Sequence, residues 1–173
     1  MPTHLIIDGY NVLGLTGKFS NRLESAREEF LRALGSYRHR TGHSVTVVFD
    51  GWQQGQPLEQ HEHRAGVEVI YSKRGEKADQ VIQRLVREYG SDCAVVSSDH
   101  EIVNVARSHQ AFVMRAQEFA GKLSRPTRSA GAVPYKELDM GDDVRLDRGA
   151  EKKGNPRKLP KSQRRRQNQL KRF

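Results

Sequence analysis

Short apolar blocks alternate with amphipathic stretches over the first 123 residues of this chain, and the alternation stops abruptly afterwards. The blocks are residues 4–8, 45–50, 67–71, 93–98 and 111–114, each rich in Val and Ile. Their apolarity is continuous rather than alternating, which predicts strands covered on both faces. Between the first two blocks, Phe30, Leu31, Leu34 and Tyr37 recur at helical spacing within residues 24–40, ahead of Thr41-Gly42. The same reasoning predicts helices over 77–89, with Ala78, Val81, Ile82, Leu85 and Val86 on one face and Gly90 as the stop. Two more are predicted over 101–107 and 116–123. Strands alternating with crossover helices define an α/β fold with a mainly parallel sheet, whose ligands bind beyond the carboxyl ends of the strands.

From Ser124 the pattern fails. Residues 124–150 read as a linker or irregular extension, and residues 151–173 are nearly all basic, polar, Gly or Pro. Such a composition cannot bury enough surface to offset the entropy of ordering, so a disordered tail is expected there. The domain organisation expected is therefore 1–123, 124–150 and 151–173.

Charge sharpens that division. The chain carries a formal net charge of +9, and residues 151–173 hold ten of its 30 Lys and Arg with one of its 21 acids. The first 150 residues are thus formally neutral and the polyanion signal belongs to the tail: Lys152, Lys153, Arg157, Lys158, Lys161, Arg164, Arg165, Arg166, Lys171 and Arg172. RNA or the ribosome is the partner this run favours, through phosphate contacts that carry little sequence information. The single Cys93 falls in a predicted buried strand and allows no internal disulfide. With no apolar run of membrane-spanning length and no secretory leader pattern, a soluble cytoplasmic protein is expected.

The candidate chemistry sits where the strands end. His4-Leu-Ile-Ile-Asp8, Val45-Thr-Val-Val-Phe-Asp50 and Cys93-Ala-Val-Val-Ser-Ser-Asp99 each run into an aspartate, and Val67-Glu-Val-Ile-Tyr71 is followed by Glu76 and Asp79. In a parallel sheet these acids converge on one edge, where like charges are costly unless protons or a metal neutralise them. Oxygen ligands so placed suit Mg²⁺ or Mn²⁺ and phosphoryl chemistry. Asn11, Ser97, Ser98 and Glu101 lie close enough in sequence to support such a site.

Each acid also has a purely structural reading. Asp8 and Asp50 precede Gly and suit turns, Glu76 and Asp79 suit the first turn of a helix, and Asp99 suits an N-cap. Trp52 fits either a cover for the core or a stacking surface for a base. His61-Glu62-His63 suggests zinc at first sight, but no Cys or third ligand stands at a recognised spacing.

Together, Asp8-Gly9-Tyr10-Asn11, Phe49-Asp50, Ala78-Asp79 and Ser97-Ser98-Asp99 resemble, in order and interval, the NYN domain of the PIN-like nuclease superfamily, in particular its bacterial YacP-like branch. The resemblance covers roughly residues 3–123. It implies a PIN-like three-layer α/β/α sandwich and a Mg²⁺- or Mn²⁺-dependent ribonuclease in which Asp8, Asp79 and Asp99 bind metal and Asp50 and Asn11 support them. Many PIN proteins carry a further Asp two residues after the last acid, where this chain has Glu101. Two other readings stand beside it: an RNA-binding or ribosome-associated factor without catalysis, and a phosphatase of small esters. Against the phosphatase, Tyr10 occupies the position where a second Asp would follow Asp8.

Overall fold

The structure, a computed structural model, describes residues 3–15, 23–51, 57–124 and 160–173. Trp52, most of the 124–150 segment and the first part of the tail, including Lys152, Lys153, Arg157 and Lys158, lie outside the described residues. The chain divides into two compact units, Met1–Arg125 and Pro126–Phe173.

The first unit runs β1 (His4–Asp8), α1 (Gly9–Leu15), α2 (Leu23–Thr41), β2 (Ser44–Phe49), β3 (Gln60–Arg64), β4 (Val67–Tyr71), α3 (Ala78–Tyr89), β5 (Cys93–Val96), α4 (His100–Ser108), β6 (Phe112–Met114) and α5 (Ala116–Leu123). The strands form a six-stranded sheet in the order β3-β4-β2-β1-β5-β6. All neighbours are parallel except β3, which pairs antiparallel with β4. This is the mixed α/β architecture expected from the apolar blocks.

The sheet is covered on both faces, as continuous apolarity requires. Ile6, Val48, Ile70, Val95 and Val113 pack in one cluster with Val81, Ile82 and Val86 of α3 and Ile102 and Ala106 of α4. The intervening residues Leu5, Ile7, Val47, Phe49, Val69 and Tyr71 are also buried and, by strand alternation, face the opposite layer. There Tyr37 of α2 meets Phe119 of α5 edge to face at 5.2 Å. A fully buried side chain such as Ile82 contributes about 1.5–3 kcal/mol through burial alone. Cys93 is buried and its thiol is pushed up to about 11 by desolvation, as an inert core residue should be.

Three elements differ from the sequence reading. Asp8-Gly9 is not a turn: the chain passes straight from β1 into α1, and Gly9 is needed because a Cβ there would stand 2.3 Å from the Phe49 ring. Residues 60–64 form an edge strand, although Gln-His-Glu-His-Arg offers no apolar periodicity. It is held by pairing with β4 across a tight turn at Ala65 (φ 53°) and Gly66 (φ 78°), and its charged side chains guard the exposed edge.

The third difference is in the second unit, where Lys161–Leu170 forms a helix, α6, within the stretch expected to lack order. Lys, Arg, Gln and Leu are good helix formers, and no Gly, Pro or β-branched residue interrupts residues 161–171. The helix buries none of its residues, so hydropathy correctly gave it no core. A helix of this length is marginal in water without packing. No helix among the described residues is long and apolar enough to cross a membrane.

Candidate functional site: an acidic edge at the strand ends

The parallel register brings the C-terminal ends of β1, β2, β4 and β5 to one edge, and the acids stand at those ends, just beyond them or in the first turn of the helix that follows. Asp8 ends β1 and is 8% exposed. Its Oδ1 accepts the Asn11 backbone N–H at 3.2 Å and its Oδ2 accepts the Ser97 hydroxyl at 3.1 Å. Burial pushes the Asp8 carboxyl up to about 6. The two hydrogen bonds oppose that shift, while Asp79 and Asp99 add to it by repulsion.

Ser97 ties two acids together. While donating to Asp8, its fully buried hydroxyl accepts the Asp99 backbone N–H at 3.1 Å. Asp99 caps α4, its Oδ1 accepting from Glu101 at 2.7 Å and Ile102 at 3.4 Å. The Asn11 side-chain oxygen accepts the Ser98 backbone N–H at 3.1 Å, clamping the first turn of α1 to the turn after β5. The structural and chemical readings of Asp99 therefore coexist, because the cap fixes a carboxylate at the strand edge.

Asp50, just beyond β2, reaches across to the start of α3. Its Oδ1 accepts the Ala78 backbone N–H at 3.1 Å and the Ser72 hydroxyl at 3.2 Å. Ser72 also accepts the Gly51 N–H at 3.1 Å. This bracing places Asp79, in the first turn of α3, beside the other acids. Burial raises the Asp79 carboxyl, followed by repulsion from Asp99 and Asp50, with Lys77 opposing and Glu101 reinforcing. Asp8, Asp50, Asp79, Asp99 and Glu101 thus form one electrostatically linked group. Glu76 is engaged elsewhere: its Oε1 accepts from Arg84 at 2.9 Å, while its Oε2 is buried with no hydrogen-bond partner among the described residues. Ser72 was not anticipated, since nothing in the sequence says that β4 lies beside β2.

The donor set has the chemistry of a hard divalent-cation site, all carboxylate, amide and hydroxyl oxygens. Among the described residues no three His, Cys, Asp or Glu side chains stand close enough together to enclose an ion. A Mg²⁺ ion does not need such a cage, because it is commonly held by one or two carboxylates and retains several waters. A cation would also offset the repulsion that raises Asp8 and Asp79. His61 is not part of any such set. Its ring nitrogens face Glu59 at 2.8 Å and Glu68 at 3.3 Å, and the bond to Glu59 is the main cause that raises its pKa.

An acidic edge on a parallel α/β sheet, braced by Asn11 and Ser97, is the arrangement expected of an NYN domain. The chain belongs to that class: the sequence model of the YacP-like NYN domain matches residues 5–171, so the match includes α6 and extends beyond the region of resemblance noted above. The family is related to PIN-like nucleases and supports a nuclease or RNA-related role. Among individual relatives, the chain is 38% identical to "Uncharacterized protein YacP" of Bacillus subtilis (strain 168) over 88 residues, 48% of this chain and 51% of that protein. The alignment thus spans about half the length of that curated relative. Among solved structures, it is similar to Rae1 (YacP) from Bacillus subtilis, at 29% identity and a TM-score of 0.57 over 69% of this chain and 72% of that one. A point mutant of Rae1 matches with the same identity and TM-score over 71% and 75%.

Proposed function

We propose that the protein is a divalent-metal-dependent endoribonuclease hydrolysing RNA phosphodiester bonds, in a cytoplasmic setting and on RNA that includes ribosome-associated RNA. The observation that carries this reading is the convergence of Asp8, Asp50, Asp79 and Asp99 on one strand edge, where burial and mutual repulsion raise Asp8 and Asp79. Asp8, Asp79 and Asp99 would hold Mg²⁺ or Mn²⁺, one or two of them directly and the rest through waters the ion retains, with Asp50 and Glu101 as further carboxylates. A bound ion supplies positive charge against the phosphate and an acidified water. The protein's part is orientation: Ser97 and Asn11 fix Asp8, the α4 cap fixes Asp99, and Asp50 and Ser72 fix the start of α3. In the reaction a water oxygen bonds to phosphorus, the bond to one ribose oxygen breaks, and that oxygen takes up a proton.

Affinity for RNA is assigned to the tail. On α6 and just after it, Lys161, Arg164, Arg165, Arg166, Lys171 and Arg172 supply phosphate contacts, joined by Lys152, Lys153, Arg157 and Lys158. The competing reading is an RNA-binding factor without catalysis. In its favour, Asp50 and Asp99 already have structural work as helix caps.

The test is incubation of the full chain with a labelled mixed-sequence RNA in Mn²⁺, Mg²⁺ or EDTA, beside the double variant Asp8→Asn/Asp99→Asn. Cleavage that requires metal and vanishes in the variant supports the nuclease. RNA that is bound equally by both proteins and cut by neither supports the binding factor.

A further inference from the structure

An aromatic and cationic cluster lies at the same strand edge as the acids. Tyr10 follows Asp8 by two residues, Phe49 immediately precedes Asp50, and Tyr71 ends β4. Tyr10 meets Phe49 edge to face at 5.2 Å, and Phe49 stacks on Tyr71 at 5.8 Å. Arg27 of α2 places its guanidinium over both inner rings, 5.9 Å from the Phe49 centroid and 5.6 Å from that of Tyr71. Phe49 and Tyr71 are buried, whereas Arg27 and Tyr10 are half-buried.

What marks Arg27 is how it is held. Arg64 is paired with Glu28 and Glu62, and Arg84 with Glu59 and Glu76. Among the described residues Arg27 has no carboxylate partner and is positioned by the two rings instead. A stacked guanidinium keeps its in-plane N–H donors available, and their fork matches two oxygens of a phosphate. A role confined to packing would use the stem and have no need of the charge. Strand alternation turns Phe49 toward the α2 layer, while its neighbour Asp50 bonds to α3 on the other side. An RNA strand passing over the sheet edge therefore meets the acids on one side and Arg27 with Tyr10 on the other.

We propose that Arg27 and Tyr10 form a substrate subsite beside the acidic edge, in which the Arg27 guanidinium binds a phosphate adjacent to the scissile one and the Tyr10 ring stacks on a base. The subsite rests on the reading of the protein as an RNA-cleaving enzyme, but it acts through binding and is measurable without cleavage. Arg27 is here a positioning residue and takes no part in bond making.

The experiment measures the Kd of the full chain for a short labelled single-stranded RNA against KCl concentration in EDTA, with melting curves as a folding control. Arg27→Gln is expected to weaken binding about tenfold and to reduce the magnitude of the salt slope by about 0.7, the loss of one phosphate contact on a single strand. Arg27→Lys, which keeps a charged stem over the rings, is expected to restore the slope but not the full affinity. Tyr10→Ala is expected to cost about tenfold with the slope intact, and Tyr10→Phe little. Wild-type Kd and slope in a folded Arg27→Gln, or in Arg27→Lys and Tyr10→Ala should Arg27→Gln not fold, would overturn the subsite. A reduced slope in Arg27→Gln, together with no cleavage by the wild type in Mn²⁺, would keep the subsite and remove the nuclease.

Discussion

Replacing Asp8 by Asn removes a charge that the fold resists. The Asp8 carboxyl is raised from 3.8 to about 6, chiefly by burial. A shift of roughly two units corresponds to about 3 kcal/mol. The folded-state pKa lies above the unfolded one, so folding favours the protonated form. Below about pH 4 both states are protonated and the group costs nothing; stability is lost as pH rises from about 4 to 6, and above about 6 the full penalty applies. In Asp8→Asn the side-chain oxygen can still accept the Asn11 N–H, while the amide nitrogen faces Ser97 where an acceptor stood, a loss of about 1 kcal/mol. The net expectation is a gain of about 2 kcal/mol near neutral pH and a loss of about 1 kcal/mol in acid. For a protein of this size the gain corresponds to a Tm rise of about 4–8 °C. Circular-dichroism melts of both proteins in EDTA, at about pH 3.5 and about pH 7.5, measure it. A variant that melts below wild type by the same margin at both pH values would refute the reasoning.

Other expectations follow from the same contacts. Ser97→Ala removes the donor to Asp8 and the acceptor for the Asp99 N–H, so the Asp8 titration followed by carboxyl NMR should move further up and stability should fall by about 1–3 kcal/mol in urea unfolding. Gly9→Ala drives a methyl into the Phe49 ring and should cost about 1–3 kcal/mol by the same measurement. Deleting residues 151–173 should raise KM and flatten the salt dependence of RNA binding while leaving single-turnover cleavage at saturating RNA nearly unchanged, and an equal loss at saturation would give the tail a part in the chemistry.

Legibility in the sequence followed burial. β1, β2, β4, β5 and α3 were visible because each buries a continuous or periodic apolar set, and their order was enough to gather Asp8, Asp50, Asp79 and Asp99 on one edge. β3 was invisible because its stability comes from backbone pairing with β4 and from surface charge, neither of which leaves hydrophobic periodicity. α1 was hidden by Asp8-Gly9, a pair that normally signals a turn but here serves close packing on Phe49. α6 was missed because hydropathy reports packing, whereas this helix follows from backbone propensity alone. Ser72 and Arg27 depend on which strands become neighbours and which rings stack, facts set by topology and carried by no local motif. Glu76 was grouped with the acids by position, yet the structure commits it to Arg84.

The central claim is that the carboxylates at the strand edge hold a catalytic metal, and its most direct test is single-turnover cleavage by wild type, Asp8→Asn, Asp79→Asn and Asp99→Asn across a Mn²⁺ titration, with RNA binding measured in parallel. The account predicts a wild-type rate that saturates with Mn²⁺, and rates about 10²–10³ lower in each variant, with RNA affinity at least as high as wild type. Wild-type rates in all three variants, or a wild-type rate that does not respond to Mn²⁺ or EDTA, would contradict it.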